Sequence, residues 1–440
     1  MLPSHPILTC AEARGLEERL LAGDERAEWA AMQRAGAAVA AAVLRDFAEI
    51  GGFPAAGRVL VLVGKGHNGG DALLAAQQVL AQYPQATAEA VFVFGERALR
   101  PLARRAWQQA EAAAAGRWVR RDPAREPGWG GAGYDLALDG VFGFQFRPPV
   151  EPRVAALLER ANALPIRLRA AVDLPSGGVF RADFTYATGS VKAPILADER
   201  AGRLRYLDLG FFPNEMAGAQ RVLTPAVLAP LAALRPAQSD KRDYGHLFIV
   251  GGSHSYPGAV LMAVRAALRS GAGLVTAFVP EPLVPAYAAQ APEAMWVGCP
   301  LTPDGGLALE GLHLVRSRIE RATALAIGPG LGREPETLAL VQEILQLAPI
   351  PVVLDADALQ PEIVRGAQGP LVVTPHAGEF QRIAGSLLAQ APQEPLRAAA
   401  RAVVWHGLAA DALARAHGPV AVRTTQLLDY LPAALRESCG

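Results

Sequence analysis

Cysteine is scarce in this chain: three residues in 440, Cys10, Cys299 and Cys439. They stand too far apart for a disulfide framework or a metal-knuckle spacing, so a reducing cytoplasm is the expected setting. Net charge is missing too. The 42 lysines and arginines balance 42 aspartates and glutamates, which argues against a nucleic-acid binder that works through a basic surface. No apolar stretch is long enough to span a bilayer without Gly, Pro or charge interrupting it. The start, "MLPSHPILTCAEARGLEERLLAG", has no basic region leading into an apolar core, so it does not read as a signal peptide. Lysine is sparse in a composition dominated by alanine, leucine and arginine, a bias that points to a GC-rich genome rather than to a function.

What is present is apolar and periodic. Half the residues (51%) are hydrophobic, and the length suits two domains better than one core. Residues 11–48 carry apolar positions at helical spacing. Short β-rich runs then alternate with helical ones: "RVLVLVG" (58–64), "AEAVFVFG" (88–95), "YDLALDGVFG" (134–143), "IRLRAAVDLPSG" (166–177), "DFTYATG" (183–189) and "RYLDLGF" (205–211). This alternation predicts an α/β fold with a parallel sheet covered on both faces. A Pro-rich, charged segment, 213–245, places a boundary near residue 223. The second half repeats the style with "HLFIVGGSHSYPGA", "GLVTAFVP", "TALAIGPGLG", "PIPVVLDADAL" and "GPLVVTPHAGEF". Two α/β domains follow, each with a site at the carboxyl ends of its strands.

In "VLVLVGKGHNGGDALLAAQQVL", Gly64, Gly66 and Gly69 fit G-x-G-x-x-G. That pattern alone fits a tight strand-to-helix turn equally well. Glu96, near the end of the next strand, keeps a plain dinucleotide fold open. The cluster His67-Asn68-Gly69-Gly70-Asp71 goes further than a turn requires: backbone N–H groups at a helix start face an anion, with side-chain oxygens beside them. Asp139 and Asp173 end two further strands. Together with the Gly-Gly-Asp loop they form a constellation suited to acid/base work or to a cation.

"GKGHNGGD", "LDGVFG", "DLPSG" and "ADFTYATGSVK", in that order and after a helix ending "MQRAGAAVA", resemble the epimerase domain of bifunctional NAD(P)H-hydrate repair enzymes, the YjeF N-terminal family, over residues 8–215. The resemblance implies a Rossmann-like fold whose ligand is a hydrated, damaged NAD(P)H. It implies that Asn68, Asp139 and Ser176 are side-chain ligands of a potassium ion, K+. It implies a substrate site of His67, Asn68, Gly69, Gly70 and Asp71 with Gly143, Phe144, Gln145, Phe146, Arg147, Pro148 and Pro149, and Asp173 at the reacting end. Chemically, the hydrate is a hemiaminal, and inverting it needs proton transfer to and from oxygen. Asp173 is the expected general acid/base, assisted by Lys192. After "DLPSG" the chain runs on at once to "GVFRADFTY", where the family carries a longer loop.

From "KRDYGHLFIVGGSHSYPGAVLMAVRAALRSGAGLVT" (241–276) onward the chain resembles the family's ADP-dependent NAD(P)H-hydrate dehydratase domain, with a ribokinase-like fold. By that resemblance Ala259, Gly330 and His376 contact the hydrate, and ADP with Mg2+ is the cofactor. The expected domains are thus 1–222, an epimerase, and 223–440, dehydratase-like. Between Gly385 and Ser386, however, the family carries several dozen more residues, including a Gly-Asp at a helix N-terminus that holds phosphates and supplies the acid/base Asp. No Gly-x-Gly-Asp occurs after residue 240. Either the second domain has lost catalysis and keeps a scaffold or binding role, or residues of a parent protein are missing at this join, which is abrupt and falls where the family resumes mid-helix. A ribokinase-type small-molecule kinase would need the same absent loop. The resemblance also implies a homo-oligomer acting on a small molecule, and the balanced charge and interrupted apolar runs lead to the expectation of no nucleic acid or membrane partner.

Overall fold

A computed structural model describes residues 2–21, 23–123, 129, 133–212, 218, 220–347, 349–374, 396–418 and 424–439. The chain divides into two compact units. One comprises Pro3–Thr224 with Ala414–Val422, the other Pro225–Leu413 with Met1–Leu2 and Arg423–Gly440.

The strands of the first unit are β1 (Ser4–Leu8), β2 (Arg58–Val63), β3 (Thr87–Phe92), β4 (Trp118–Arg121), β5 (Tyr134–Gly140), β6 (Ile166–Val172), β7 (Phe184–Thr188), β8 (Val191–Lys192), β9 (Arg203–Leu207) and β10 (Arg221–Leu223). Its helices are α1 (Cys10–Leu21), α2 (Glu25–Phe47), α3 (His67–Gln82), α4 (Pro101–Ala113) and α5 (Pro152–Ala163). Seven strands form a parallel sheet in the order β4-β3-β2-β5-β6-β7-β9. The β2 run is apolar throughout because both of its faces are covered. Val59, Val61 and Val63 enter a core with α2, α3 and α4, while Leu60 and Leu62 enter one with α5. The strand order reverses between β2 and β5, and a crevice opens at their carboxyl ends.

A small second sheet, β10-β1-β8, has β1 antiparallel to β10 and parallel to β8. Leu8 of β1 is in register with Lys192 of β8. Helix α1 starts two residues after Leu8 and is therefore anchored beside that lysine. The long α2 is started by Asp24, whose side chain accepts from the N–H groups of Arg26 and Ala27.

The second unit holds β11 (His246–Val250), β12 (Leu274–Pro280), β13 (Met295–Cys299), β14 (Ala324–Ile327), β15 (Val352–Leu354) and β16 (Leu371–Val373). They form a parallel sheet in the order β13-β12-β11-β14-β15-β16. The helices of this unit are α6 (Pro257–Arg269), α7 (Val284–Gln290), α8 (Leu312–Arg316), α9 (Pro335–Leu347), α10 (Pro361–Gly366), α11 (Leu396–His417, as far as Leu413) and α12 (Thr424–Cys439). The two-unit, parallel α/β architecture expected from the sequence is present. The short strands β1, β4, β8, β10 and β13 are additions to it.

Candidate active site

The carboxyl ends of β2, β5 and β6 surround a cavity of about 480 Å³. Two of the fingerprint glycines are there for close approach. A Cβ on Gly64 would stand 2.0 Å from the Val141 carbonyl oxygen, and one on Gly69 would stand 2.4 Å from that of Gly64. A Cβ on Gly70 would meet Met32 Sδ at 2.5 Å. Gly66 has room, with Arg100 the nearest group at 4.0 Å.

Asp173 follows β6 directly and holds a φ of 68°, a left-handed conformation rare for a residue with a side chain. Its N–H donates to the Tyr186 carbonyl at 2.9 Å. Its carboxylate accepts from the Lys192 ammonium and, at 3.2 Å, from the Phe144 N–H. Lys192 is 1% exposed, donates also to the Thr188 carbonyl at 2.9 Å, and lies 5.0 Å from the Phe144 ring centre. A strained backbone thus delivers a carboxylate onto a buried cation, and both line the cavity.

Three more carboxyl groups line that cavity: Glu151, exposed and paired with Arg153 at 3.0 Å, and the more buried Asp71 and Glu17. Asp71, in the first turns of α3, is held well above the usual carboxylate range by burial, reinforced by Asp173 and Glu17. Glu17 of α1 is pushed up to about 7, chiefly by burial, with Asp173 adding to the shift and Lys192 opposing it. One wall is aromatic. Phe142 stacks on Phe146 at 4.1 Å, Phe94 lies 5.9 Å from Phe142, and Lys65 Nζ sits 4.2 Å above the Phe94 ring.

Asn68, Ser176 and Asp139 gather around the peptide of Phe142. The Asn68 amide donates to the Phe142 carbonyl at 2.9 Å and to that of Val172 at 3.0 Å. The Phe142 N–H donates to Ser176 Oγ at 2.9 Å. Ser176 in turn donates to Asp139 through Oγ (2.6 Å) and through its N–H (2.8 Å). Asp139 is fully buried, and burial pushes it up to about 6 against those hydrogen bonds. Among the described residues no group of three or more His, Cys, Asp and Glu could hold a metal. One carboxylate with hydroxyl, amide and carbonyl oxygens instead fits a hard cation of low charge.

A family model described as YjeF-related protein N-terminus matches residues 29–196, and one described as NAD(P)H-hydrate dehydratase matches residues 247–391. The chain is 34% identical over 429 residues to the bifunctional NAD(P)H-hydrate repair enzyme Nnr of Gloeobacter violaceus, covering 91% of this chain and 80% of the relative. It is 32% identical over 409 residues to the enzyme of that name from Moorella thermoacetica, covering 84% and 73%. The chain belongs to the bifunctional NAD(P)H-hydrate repair enzyme family. A solved ADP/ATP-dependent NAD(P)H-hydrate dehydratase from Bacillus subtilis, co-crystallised with ATP and Mg2+, aligns at 24% identity and a TM-score of 0.41, over 49% of this chain and 97% of that one.

Of the substrate and catalytic residues that the repair-enzyme resemblance nominates, the cavity wall includes His67, Asn68, Asp71, Gly143, Phe144, Gln145, Phe146, Arg147, Pro149, Asp173 and Lys192. Gly69 and Gly70 are buried in the start of α3, Pro148 is not on the wall, and Asp139 and Ser176 are buried outside the wall. Glu96, the residue that kept a plain dinucleotide fold open, accepts from Trp107 Nε1 at 3.1 Å and pairs with Arg120 at 3.7 Å. Sequence reasoning missed Glu17, Lys65, Phe94, Arg100, Val141, Phe142, Glu151 and Thr188 on the wall. For Glu17 there was a signal: it stands four residues after Ala13 and beside Leu16, both buried, so a carboxylate borders the apolar stripe of α1.

In the second unit Ala259, in the first turn of α6, and Gly330, past β14, come together. A Cβ on Gly330 would lie 3.2 Å from that of Ala259. Gly252, past β11, donates to the Pro329 carbonyl at 2.8 Å, and Ala356, past β15, holds a φ of 49°. His376 and the Gly385–Ser386 join lie outside the described residues.

Proposed function

We propose that the chain repairs hydrated nicotinamide nucleotides. Its first domain (1–222) interconverts the S and R forms of NAD(P)H hydrate, and its second (223–440) returns the S form to NAD(P)H in an ADP-dependent dehydration. The observation that carries the epimerase half is the buried Asp173–Lys192 pair inside the switch-point cavity. In the hydrate the ring nitrogen expels the neighbouring hydroxyl and readmits it, so a proton must reach oxygen and leave it again. In this reading Asp173 moves that proton, supported by its contacts with Lys192 and the Phe144 N–H, which would orient its carboxylate. The loop from Gly143 to Pro149 and the turn from His67 to Asp71 hold the ligand. Asn68, Asp139 and Ser176 would hold K+, which when bound supplies positive charge to order these loops. A homo-oligomer in the cytoplasm, without nucleic-acid or membrane partners, belongs to the same reading.

For the second domain, Ala259, Gly330 and His376 would contact the hydrate, with ADP and Mg2+ as cofactors. One observation favours a non-catalytic, nucleotide-binding second domain instead: no Gly-Asp follows residue 240 to bind phosphate at a helix start and act as acid/base. The test is the intact mass of the purified protein, followed by both assays on one sample with ADP and Mg2+. A mass of 46.2 kDa with epimerisation alone would support the non-catalytic second domain. ADP-dependent dehydration by the same sample would support the bifunctional reading, and absence of epimerisation would overturn the first.

A further inference from the structure

We propose that Glu17 is a second catalytic acid/base of the epimerase cavity, working with Asp173 so that one exchangeable proton is shared between the two carboxyl groups. This rests on the epimerase reading above. The geometry comes first. Glu17 reaches the cavity from α1, which the β1–β8 pairing pins beside Lys192, whereas Asp173 arrives from the end of β6. The two carboxyls are therefore delivered by separate elements onto one cavity wall. A hemiaminal that inverts must lose its oxygen and regain one. A single group would have to serve both events, whereas two groups on separate elements divide them.

Charge supports the division. Facing Glu17 are Asp71 on α3, Asp173 after β6, and Lys192 on β8. Of the groups on the wall, Glu17, Asp71 and Asp173 interact with the Lys192 ammonium, which is hydrogen-bonded to Asp173. Asp173 is thus the carboxyl the cation pairs with, while burial raises the other two, Glu17 and Asp71, toward their protonated forms. Glu17, pushed up to about 7, can both give and regain a proton near neutral pH, which suits a proton donor that must also be restored. The step balances without any outside reagent. The Glu17 carboxyl gives its proton to the departing hydroxyl as the C–O bond breaks, and water leaves under the push of the nitrogen lone pair. Water then adds to the cationic carbon and gives a proton to the Asp173 carboxylate. The reverse epimerisation runs from the tautomer with the proton on Asp173, so both directions need the same proton count.

The test is interconversion of purified S and R hydrates by the full chain between pH 5.5 and 9, for the wild type, Glu17→Gln, Glu17→Asp and Asp173→Asn, with KM and kcat resolved. For the wild type we expect kcat to fall on the alkaline side as Glu17 loses its proton. For Glu17→Gln we expect a loss of about 10²-fold in kcat with KM little changed, and a residual rate without that alkaline limb. Glu17→Asp should restore part of the rate and the limb with it. A Glu17→Gln enzyme within threefold of wild type, or one altered in KM alone with the pH profile intact, would overturn the proposal. It would leave the epimerase reading standing. A wild type unable to interconvert the hydrates would overturn both.

Discussion

Lys192 is one of three lysines, with Lys65 and Lys241, in a chain whose 42 basic residues are otherwise arginine. Where composition runs so strongly toward arginine, a fully buried lysine marks a place the guanidinium does not fit. Lys192 sits in contact with Asp173, the Thr188 carbonyl and the Phe144 ring, with 1% of its surface exposed. Arginine there would overfill the site, at a cost of about 1–3 kcal/mol, and its five-donor fork does not reproduce a point charge. Lys192→Met, which leaves Asp173 buried and unpaired, should cost more, about 3–5 kcal/mol. Thermal melting of both variants checks the order. Glu17 carries the opposite sign. Its pKa in the fold, about 7, lies above its ordinary 4.5, so between those values the folded state binds more protons than the unfolded one. Stability therefore falls as pH rises from 4.5 to 7, and the full penalty is present above 7. Glu17→Gln should raise stability by roughly 1–3 kcal/mol at pH 8 and by little at pH 4. Denaturant melts at the two pH values would show it. A carboxylate that costs stability at its working pH is what a functional rather than a structural role leads one to expect.

At the scale of elements, the β2–α3 turn separates packing from binding. Gly69→Ala would drive a methyl into the Gly64 backbone and Gly70→Ala one into the flexible Met32 side chain, whereas a methyl at Gly66 meets only the tip of Arg100. Gly69→Ala should therefore fail to fold or melt far below the wild type. Gly66→Ala should keep its melting temperature and lose affinity for the hydrate, which a binding titration beside a melt would separate. The cation site makes a second claim at this scale. If Asn68, Asp139 and Ser176 hold K+, replacing K+ by Li+ in the buffer should slow epimerisation severalfold, with recovery on adding K+. The long apolar runs of β2, β3, β5, β6 and β7 were legible as strands because both faces of a parallel sheet are buried. Strand β4, "WVRR", was not. It lies at the sheet edge with two of its four residues exposed, so no apolar run announces it. Strands β1, β8 and β10 are two to five residues long, too short for any period to show.

At the scale of the whole molecule, each unit has its own two-faced core, Val59–Val63 at the centre of one and Phe248–Val250 at the centre of the other. Two cores lead one to expect two calorimetric transitions. Lys192→Met should lower one of them and leave the other in place, and a single transition shifted as a whole would contradict this. What followed from the sequence by itself was the pair of parallel α/β units, the turn after β2, and the motif residues of the candidate site, because apolar runs, glycines and strand-end carboxylates are local features. What the tertiary structure alone decided was the meeting of Glu17, Asp71, Asp173 and Lys192. These residues lie as many as 175 positions apart and belong to four different elements. The raised pKa values of Glu17 and Asp71 come from burial and from the charge of Asp173, and surroundings of that kind exist only once β1 has paired with β8 and brought α1 to the end of the sheet.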